Sequence, residues 1–140
     1  MSFLGSPFRN QHTIIRARLA DVLERTTVGF GPDLAVLFER LALALRSHLL
    51  MEDNVVYPAM IASRDGLLRD RAKRLHGQYG DQAARFDDLY AKWGGRRLVD
   101  AEIGAFVDDL DCFSRALGDR MDAEDAQLYA RAPEEQRESA

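Results

Sequence analysis

A histidine and a glutamate lie four residues apart near the end of the longest apolar segment of the chain. His48 and Glu52 are separated by just over one helical turn, so their side chains leave the same face of a helix. That face continues an apolar stripe of the kind that a helix turns to the core, formed by Leu34, Phe38, Leu41 and Leu45. Burying a carboxylate is costly unless it is paired, hydrogen-bonded or bound to a metal. Glu52 therefore needs a partner inside the protein.

The same pattern recurs later in the chain, with an arginine in place of the histidine. The two segments read Leu45-x-x-His48-x-x-x-Glu52-Asp53-x-x-Val56-Tyr57 and Leu117-x-x-Arg120-x-x-x-Glu124-Asp125-x-x-Leu128-Tyr129. Glu124 is therefore predicted to face the core as Glu52 does. The helix before each segment carries one histidine, His12 in the first case and His76 in the second. This repeat predicts two αα-hairpins that direct polar side chains toward one interior point.

Three histidines and two carboxylates from four helices form a plausible donor set for a metal ion. The five candidate ligands are His12, His48, Glu52, His76 and Glu124. Imidazole and carboxylate suit iron, manganese or zinc, and the chain's one thiol, Cys112, falls on the opposite face of its helix. Zinc normally takes four ligands, so five donors favour iron, or manganese, at higher coordination. A single histidine considered alone is more simply a core residue hydrogen-bonded to a neighbour.

Four long amphipathic helices must position these residues. Apolar residues recur at helical spacing over about 8–26, 32–62, 67–93 and 97–131, and no segment shows the alternation of a strand. Pro58 should bend the second helix or end it near Tyr57. The pattern predicts an all-α protein, an up-down-up-down antiparallel four-helix bundle. It forms a single domain over 1–140, with flexible tails at 1–7 and 134–140.

Composition excludes several classes of partner. A net charge of −4 provides no overall attraction to nucleic acid. The sequence contains no run of about 18 apolar residues, so we expect no membrane-spanning helix. One cysteine among 140 residues fits a reducing compartment, so we expect a cytoplasmic protein. A protein partner or a homo-oligomer is compatible with this sequence, which carries no specific signal for either.

The motifs resemble the hemerythrin-like family, also called the HHE cation-binding domain, over essentially the whole chain. The strongest match is His48-x-x-x-Glu52-Asp53 followed by Tyr57-Pro58; the other matching segments are Asn10-Gln11-His12-Thr13-Ile14-Ile15-Arg16, His76, and Glu124 with Asp125. The resemblance implies a non-haem iron centre, usually of two ions bridged by the two carboxylates. It also implies a small diatomic or oxidant ligand, through dioxygen binding or the sensing or handling of iron, nitric oxide or oxidants.

Two residues depart from that family pattern. Arg120 replaces the histidine of the fourth helix, and Gly80 stands where hemerythrins have a second histidine on the third. A guanidinium about 5 Å from a dication is repelled by roughly 7 kcal/mol at an effective dielectric of about 20, which disfavours a second metal. Arg120 either pairs with Glu124 or Asp125 as a substitute cation or extends to solvent. Gly80 provides either close helix packing or an open coordination position.

Some residues have two interpretations within this reading. Asp125 is a candidate substitute ligand in the half of the site that lacks histidines, and Tyr57 is either a packing residue or a partner of a ligand. We expect a protein that binds or senses a small ligand more than an enzyme. The alternatives are a metal-free bundle acting as an interaction module, with Arg120 neutralising the carboxylates, and a di-iron oxidase or peroxidase. A ferritin-like site is disfavoured because the chain contains no Glu-x-x-His.

Overall fold

Helices make up all the regular structure of residues 5–27 and 32–129, which the computed structural model describes. The all-α four-helix bundle is confirmed. Its first helix is α1 (Gly5–Thr27), and its second is α2 (Pro32–Met51) with a π-helical turn (Glu52–Val56) and α3 (Tyr57–Ile61). The third consists of α4 (Gly66–Tyr79) and α5 (Gln82–Trp93). The fourth is α6 (Ile103–Glu124) with a 3₁₀ turn before it (Asp100–Glu102) and a π-helical turn after it (Asp125–Tyr129).

The helix boundaries follow from local sequence. Asp65 caps α4, because its carboxylate accepts hydrogen bonds from the backbone N–H groups of Leu67 and Leu68 at 3.1 and 3.2 Å. Gly95 follows α5 with a φ of 69°, a conformation that favours glycine. α1 begins at Gly5, so residues 5–7 of the predicted N-terminal tail are helical. The predicted C-terminal tail, 134–140, lies outside the described residues.

The third bundle helix is broken, whereas the sequence pattern predicted one helix over 67–93. The break lies at Gly80 and Asp81, between α4 and α5. The backbone N–H of Gly80 still donates to the carbonyl of His76 at 2.8 Å. A Cβ at Gly80 would lie 2.5 Å from that carbonyl oxygen, closer than a side chain tolerates. The prediction was wrong because apolar periodicity continues across the break, while the backbone there requires glycine.

The second and fourth bundle helices each contain a π-helical turn immediately at or after the repeated glutamate. In an α-helix, side chains five residues apart point about 140° away from each other. A π turn, closed by i→i+5 hydrogen bonds, brings such residues onto one face. The backbone N–H of Tyr57 accordingly donates to the carbonyl of Glu52, and both side chains are buried. The two π turns thus place the glutamate and the tyrosine of each repeat in the core.

The core consists of two apolar clusters separated along the bundle. α1 packs on α2 and α6, and α5 also packs on α2 and α6, so the four bundle helices enclose both clusters. One cluster includes Leu45, Phe86 and Leu117, and the other includes Val56, Leu75 and Leu128. The repeated polar residues of the sequence lie between them. Among the described residues, no helix is long and apolar enough to cross a membrane.

Candidate metal centre

A layer of buried polar side chains crosses the bundle between its two apolar clusters. It contains His12 from α1, His48 and Glu52 from the second bundle helix, and Arg120 and Glu124 from the fourth, each no more than 3% exposed. The residues one turn before and after them on the same helices are mostly apolar core residues. Helical periodicity, rather than a loop, therefore holds every member of this layer in place.

Each of the two histidines is oriented by a hydrogen bond at its Nδ1. His48 Nδ1 donates to the amide oxygen of Gln11 at 2.6 Å, and His12 Nδ1 donates to a carboxylate oxygen of Asp125 at 2.8 Å. Both acceptors lack a proton at that atom, so Nδ1 carries the hydrogen in each ring. In the neutral imidazole the other nitrogen, Nε2, then has a free lone pair. Partners of this kind typically orient histidines that bind metals.

Both Nε2 atoms face the buried carboxylates. His48 Nε2 lies 3.0 Å from Glu52 Oε1, while His12 Nε2 lies 3.2 Å from Glu124 Oε1 and 3.5 Å from Glu52 Oε2. A neutral ring with its hydrogen on Nδ1 cannot donate from Nε2 to these carboxylates, so His12 Nε2, His48 Nε2 and Glu124 Oε1 are left without a hydrogen-bond partner. Buried polar atoms are rarely left in this state. Positive charge placed among them would satisfy all three.

The residues present fit a metal ion. One ligand atom from each of His12, His48, Glu52 and Glu124 lies within 4.8 Å of the others. Two atoms bonded to one metal at about 2.1 Å can be at most about 4.2 Å apart. The four side chains would therefore need to close by only a few tenths of an ångström. The donors are two imidazoles and two carboxylates, a set that suits iron, manganese or zinc.

Arg120 is buried in this layer and does not extend to solvent. Its Nε donates to Glu124 Oε2 at 3.1 Å, and one terminal nitrogen donates to Glu52 Oε1 at 3.2 Å and to Asp53 Oδ1 at 2.8 Å. The other terminal nitrogen donates to the backbone carbonyl of Tyr79 at 3.0 Å. That carbonyl lies at the end of α4, where helical carbonyls lose their intrahelical partners. The break at Gly80 therefore supports the position of the arginine.

Two tyrosines hold the carboxylates across the bundle. The hydroxyl of Tyr57 donates to Glu124 Oε2 at 2.8 Å, and the hydroxyl of Tyr129 donates to Glu52 Oε2 at 2.7 Å. Each tyrosine thus binds the glutamate of the other repeat, and the repeat in sequence becomes a crosswise pair in space. Burial raises the pKa of both phenols, so both keep their protons and act as donors.

The charges of this layer influence one another strongly. Burial lowers the pKa of His12, but Glu124 and Glu52 outweigh burial and raise that pKa to about 10. Burial raises the pKa of Glu124, and the neighbouring Glu52 raises it further. Burial also lowers the pKa of Arg120, but Glu124, Glu52 and Asp53 hold it above the ordinary value, so the guanidinium remains a cation. The carboxylate pair thus favours positive charge beside it, as a proton on His12 or as a metal.

The structure does not bring His76 into the four-residue group. Its ring is half-buried and lies 5.3 Å from the ring of Tyr57, centroid to centroid. Gly80, considered above as an open coordination position, has a backbone role at the helix break, with a built Cβ 3.5 Å from the His76 ring. Asp125, considered as a substitute ligand, instead holds His12 at Nδ1. Cys112 is exposed and is not part of the four-residue group.

Sequence reasoning missed three residues that contact the layer. Gln11 holds His48, Asp53 holds Arg120, and Tyr129 holds Glu52. Tyr129 had a signal in the sequence, because the repeat aligns it with Tyr57. Asp53 had the same signal, because the repeat aligns it with Asp125. Gln11 had none in the repeat, since it contacts a side chain of another helix and only packing brings the two together.

Fold and site together define a helical-bundle protein with a buried His/Glu cluster compatible with metal binding. The chain belongs to the hemerythrin HHE cation-binding domain family, whose family model matches residues 6–132. This confirms the family resemblance of the sequence. Searches of curated proteins and of solved structures each found no match to this chain.

Proposed function

We propose that this protein binds iron through His12, His48, Glu52 and Glu124 and uses the centre to bind or sense a small ligand. The observation that carries the proposal is the convergence of unpartnered atoms. Three buried atoms from three bundle helices face one point, and each is a metal-binding atom without a hydrogen bond. The orienting bonds at both Nδ1 atoms leave the lone pairs of Nε2 directed at that point. Membership of a cation-binding family supports the same conclusion.

Iron is favoured because four protein ligands would leave coordination positions open at five- or six-coordination. Bound ferrous iron would supply both an open position and an electron, which suit dioxygen, nitric oxide or an oxidant. The protein's own residues do the rest: the tyrosines fix the carboxylates, Gln11 and Asp125 fix the imidazoles, and the apolar clusters on either side keep bulk water out. With His76 outside the group, four ligands would also suit zinc, so metal identity must be measured.

Ligand binding or sensing is favoured over catalysis because the titratable groups of the layer already form hydrogen bonds with one another. Glu52 and Glu124 accept from tyrosines and from Arg120, and His12 is held by Asp125. Because these groups already take part in hydrogen bonds with other side chains, they are poorly placed to act as a general base on a substrate. A reducing compartment such as the cytoplasm would suit the exposed thiol of Cys112 and would keep the iron ferrous.

The test is metal analysis of protein purified without chelator and loaded anaerobically with ferrous iron. The native chain should retain iron, and His48→Ala should lose most of it because a ligand is removed. His76→Ala is the matched control and should retain iron, because His76 lies outside the four-residue group. A folded native chain that retains no iron would contradict the proposal, and zinc retained in preference to iron would contradict its choice of metal.

Spectroscopy separates a binder from an enzyme. The iron-loaded protein should change its absorption spectrum when nitric oxide or dioxygen is added, and should recover when the gas is removed. Continuous consumption of dioxygen or peroxide would instead favour the oxidase or peroxidase alternative. The apo protein is the control, because it should show no spectral change with either gas.

A metal-free interaction module is the second candidate, and the position of Arg120 favours it. The guanidinium already binds both buried carboxylates, so part of their charge is neutralised without a metal. Against it, one guanidinium faces two glutamates, and both Nε2 atoms are left unpartnered. The same metal analysis decides between the two candidates, since the module predicts no retained iron in the native chain.

A further inference from the structure

The buried carboxylate pair has two sides, and the chain occupies them differently. On one side, the two imidazoles present Nε2 atoms to Glu52 and Glu124. On the other side, the guanidinium of Arg120 binds Glu52 Oε1 and Glu124 Oε2. One side therefore presents metal-binding nitrogens, and the other presents a fixed organic cation.

The internal repeat relates these two sides to each other. Arg120 occupies the position on the fourth bundle helix that His48 occupies on the second, four residues before the glutamate. The crosswise hydrogen bonds of Tyr57 and Tyr129 follow the same symmetry. The arginine side is thus the structural counterpart of the histidine side. If one side is built for a cation, its counterpart is built for one as well.

We propose that the guanidinium of Arg120 is a built-in cation that fills the second cation position and limits the centre to one metal ion per chain. This inference rests on the proposed function, because it assumes that the histidine side binds iron. Glu124 Oε1 faces His12, which leaves Oε2 for a second ion, whereas Glu52 Oε1 lies 3.0 Å from His48 Nε2 and would be shared by the two ions. Both Glu124 Oε2 and Glu52 Oε1 are within 3.2 Å of arginine nitrogens. A metal bonded at about 2 Å and a guanidinium cannot share that space.

The arginine is anchored from its far edge as well, so it cannot simply move aside. Asp53 and the carbonyl of Tyr79 accept hydrogen bonds from its two terminal nitrogens at 2.8 and 3.0 Å. Its side chain is 1% exposed and lies 5.5 Å from the centre of the Tyr57 ring. If the Arg120 side chain moved out to solvent, the two buried glutamates would lose a neutralising cation and Asp53 would lose its arginine partner.

The balance of charges in the layer also favours one metal ion per chain. Glu52, Glu124 and Asp53, the three carboxylates that Arg120 binds, leave this group with a net charge of −2, which one divalent ion balances. A second divalent ion would lie next to a permanent cation in a buried site. A single iron cycles between its ferrous and ferric states by one electron. The centre therefore suits the binding of a ligand or the sensing of a one-electron oxidant.

The first test is the number of ferrous ions that the native chain retains after anaerobic loading and desalting. We expect one iron per chain. After oxidation, an isolated high-spin ferric ion has unpaired electrons and gives an electron paramagnetic resonance signal, whereas a bridged ferric pair is silent. Two irons per chain, or a silent oxidised form, would overturn this inference and leave iron binding itself intact. No iron in the native chain would overturn the proposed function and this inference together.

The second test replaces the built-in cation with a ligand. Arg120→His should raise the stoichiometry from one to two irons per chain, and its oxidised signal should weaken. Arg115→His is the matched control, because Arg115 lies on the same helix and pairs with Asp111 on the surface. It should stay at one iron. A folded Arg120→His protein that retains one iron would overturn the inference.

A third variant decides the matter if Arg120→His does not fold. Arg120→Lys keeps the positive charge in the same position, so the protein should still retain one iron and keep the isolated ferric signal. Two irons in this variant would show that a cation at position 120 does not exclude the second metal, and the inference would fail.

Discussion

Two hydrogen bonds determine which nitrogen of each candidate histidine ligand is free to bind a cation. Gln11 and Asp125 each take the Nδ1 hydrogen of a histidine on a neighbouring helix, His48 and His12 respectively. Without them the imidazoles could rotate or carry the hydrogen on Nε2. The order of the site therefore depends on residues that are not themselves among its four candidate ligands.

Removing the orienting amide should weaken metal binding without removing a ligand. In Gln11→Leu the Nδ1–H of His48 loses its acceptor, and we expect iron affinity to fall by about 10- to 100-fold. The measurement is an anaerobic competition titration with a ferrous chelator. Gln78→Leu is the control, since Gln78 is exposed and its amide donates to the hydroxyl of Tyr79. An affinity equal to that of the control would mean that Gln11 does not orient His48.

At the residue scale, four of the five ligands that the sequence predicted lie together in the group that the structure assembles. His12, His48 and Glu124 lie on regular α-helix and Glu52 is the first residue of a π turn that follows one, so a stripe of apolar residues indicates the buried face of each. His76 lies one turn before the break at Gly80, and its ring packs on Tyr57 instead. Periodicity alone could not show this, because it assumes an unbroken helix.

At the scale of elements, the π turns explain how the repeat builds its crosswise hydrogen bonds. Each repeat places tyrosine five residues after glutamate, a spacing that an α-helix would separate to different faces. The extra residue of a π turn restores a shared face at Glu52 and Tyr57. Sequence patterns for α-helices do not reveal such a turn; the signals were that the same spacing occurred twice and that Pro58 interrupts the second bundle helix next to its π turn.

Single-residue deletions should therefore have opposite consequences within one bundle helix. In a Pro58→Ala background, which removes the proline clash, deleting Val55 should turn the π turn into regular α-helix and keep the flanking faces in register. Deleting Leu43 should rotate the two parts of the buried face by about 100° and abolish cooperative folding. Both residues are exposed apolar residues of the same bundle helix, so the pair is matched.

Thermal unfolding followed by circular dichroism distinguishes the two deletions. We expect a cooperative transition for the Val55 deletion and none for the Leu43 deletion. If both proteins lost cooperativity equally, the π turn would not be an insertion of one residue between two α-helical segments whose buried faces are aligned.

At the scale of the whole molecule, helical periodicity and short connections were sufficient to predict the bundle. The apolar faces of the four bundle helices were predicted correctly, although the third helix is broken at Gly80, because most core residues lie on regular α-helix. What they could not show is that the core divides into two apolar clusters with a charged layer between them. That division results from the packing of four helices, and it makes the stability of the bundle depend on how the layer's charges are compensated.

Metal removal should therefore destabilise the fold without unfolding it. In the apo protein, the raised pKa of His12, about 10, allows a proton to replace the missing charge at neutral pH. Iron at about a thousand times its dissociation constant should add about 4 kcal/mol. For a chain of this length, each kcal/mol of added stability raises the thermal unfolding midpoint by about 2–4 °C, so iron should raise that midpoint by about 10 °C. Anaerobic calorimetry with and without ferrous iron measures this shift, and excess chelator should reverse it.

The control for this shift is a chain that keeps the fold and lacks the ligand atoms. His12→Ala combined with His48→Ala removes both Nε2 atoms and leaves the arginine side of the layer intact. Its midpoint should not respond to ferrous iron. If iron stabilised this double variant as much as the native chain, the ion would be binding elsewhere. The buried layer would then be a purely structural network, in which Arg120 is the only cation that the two glutamates require.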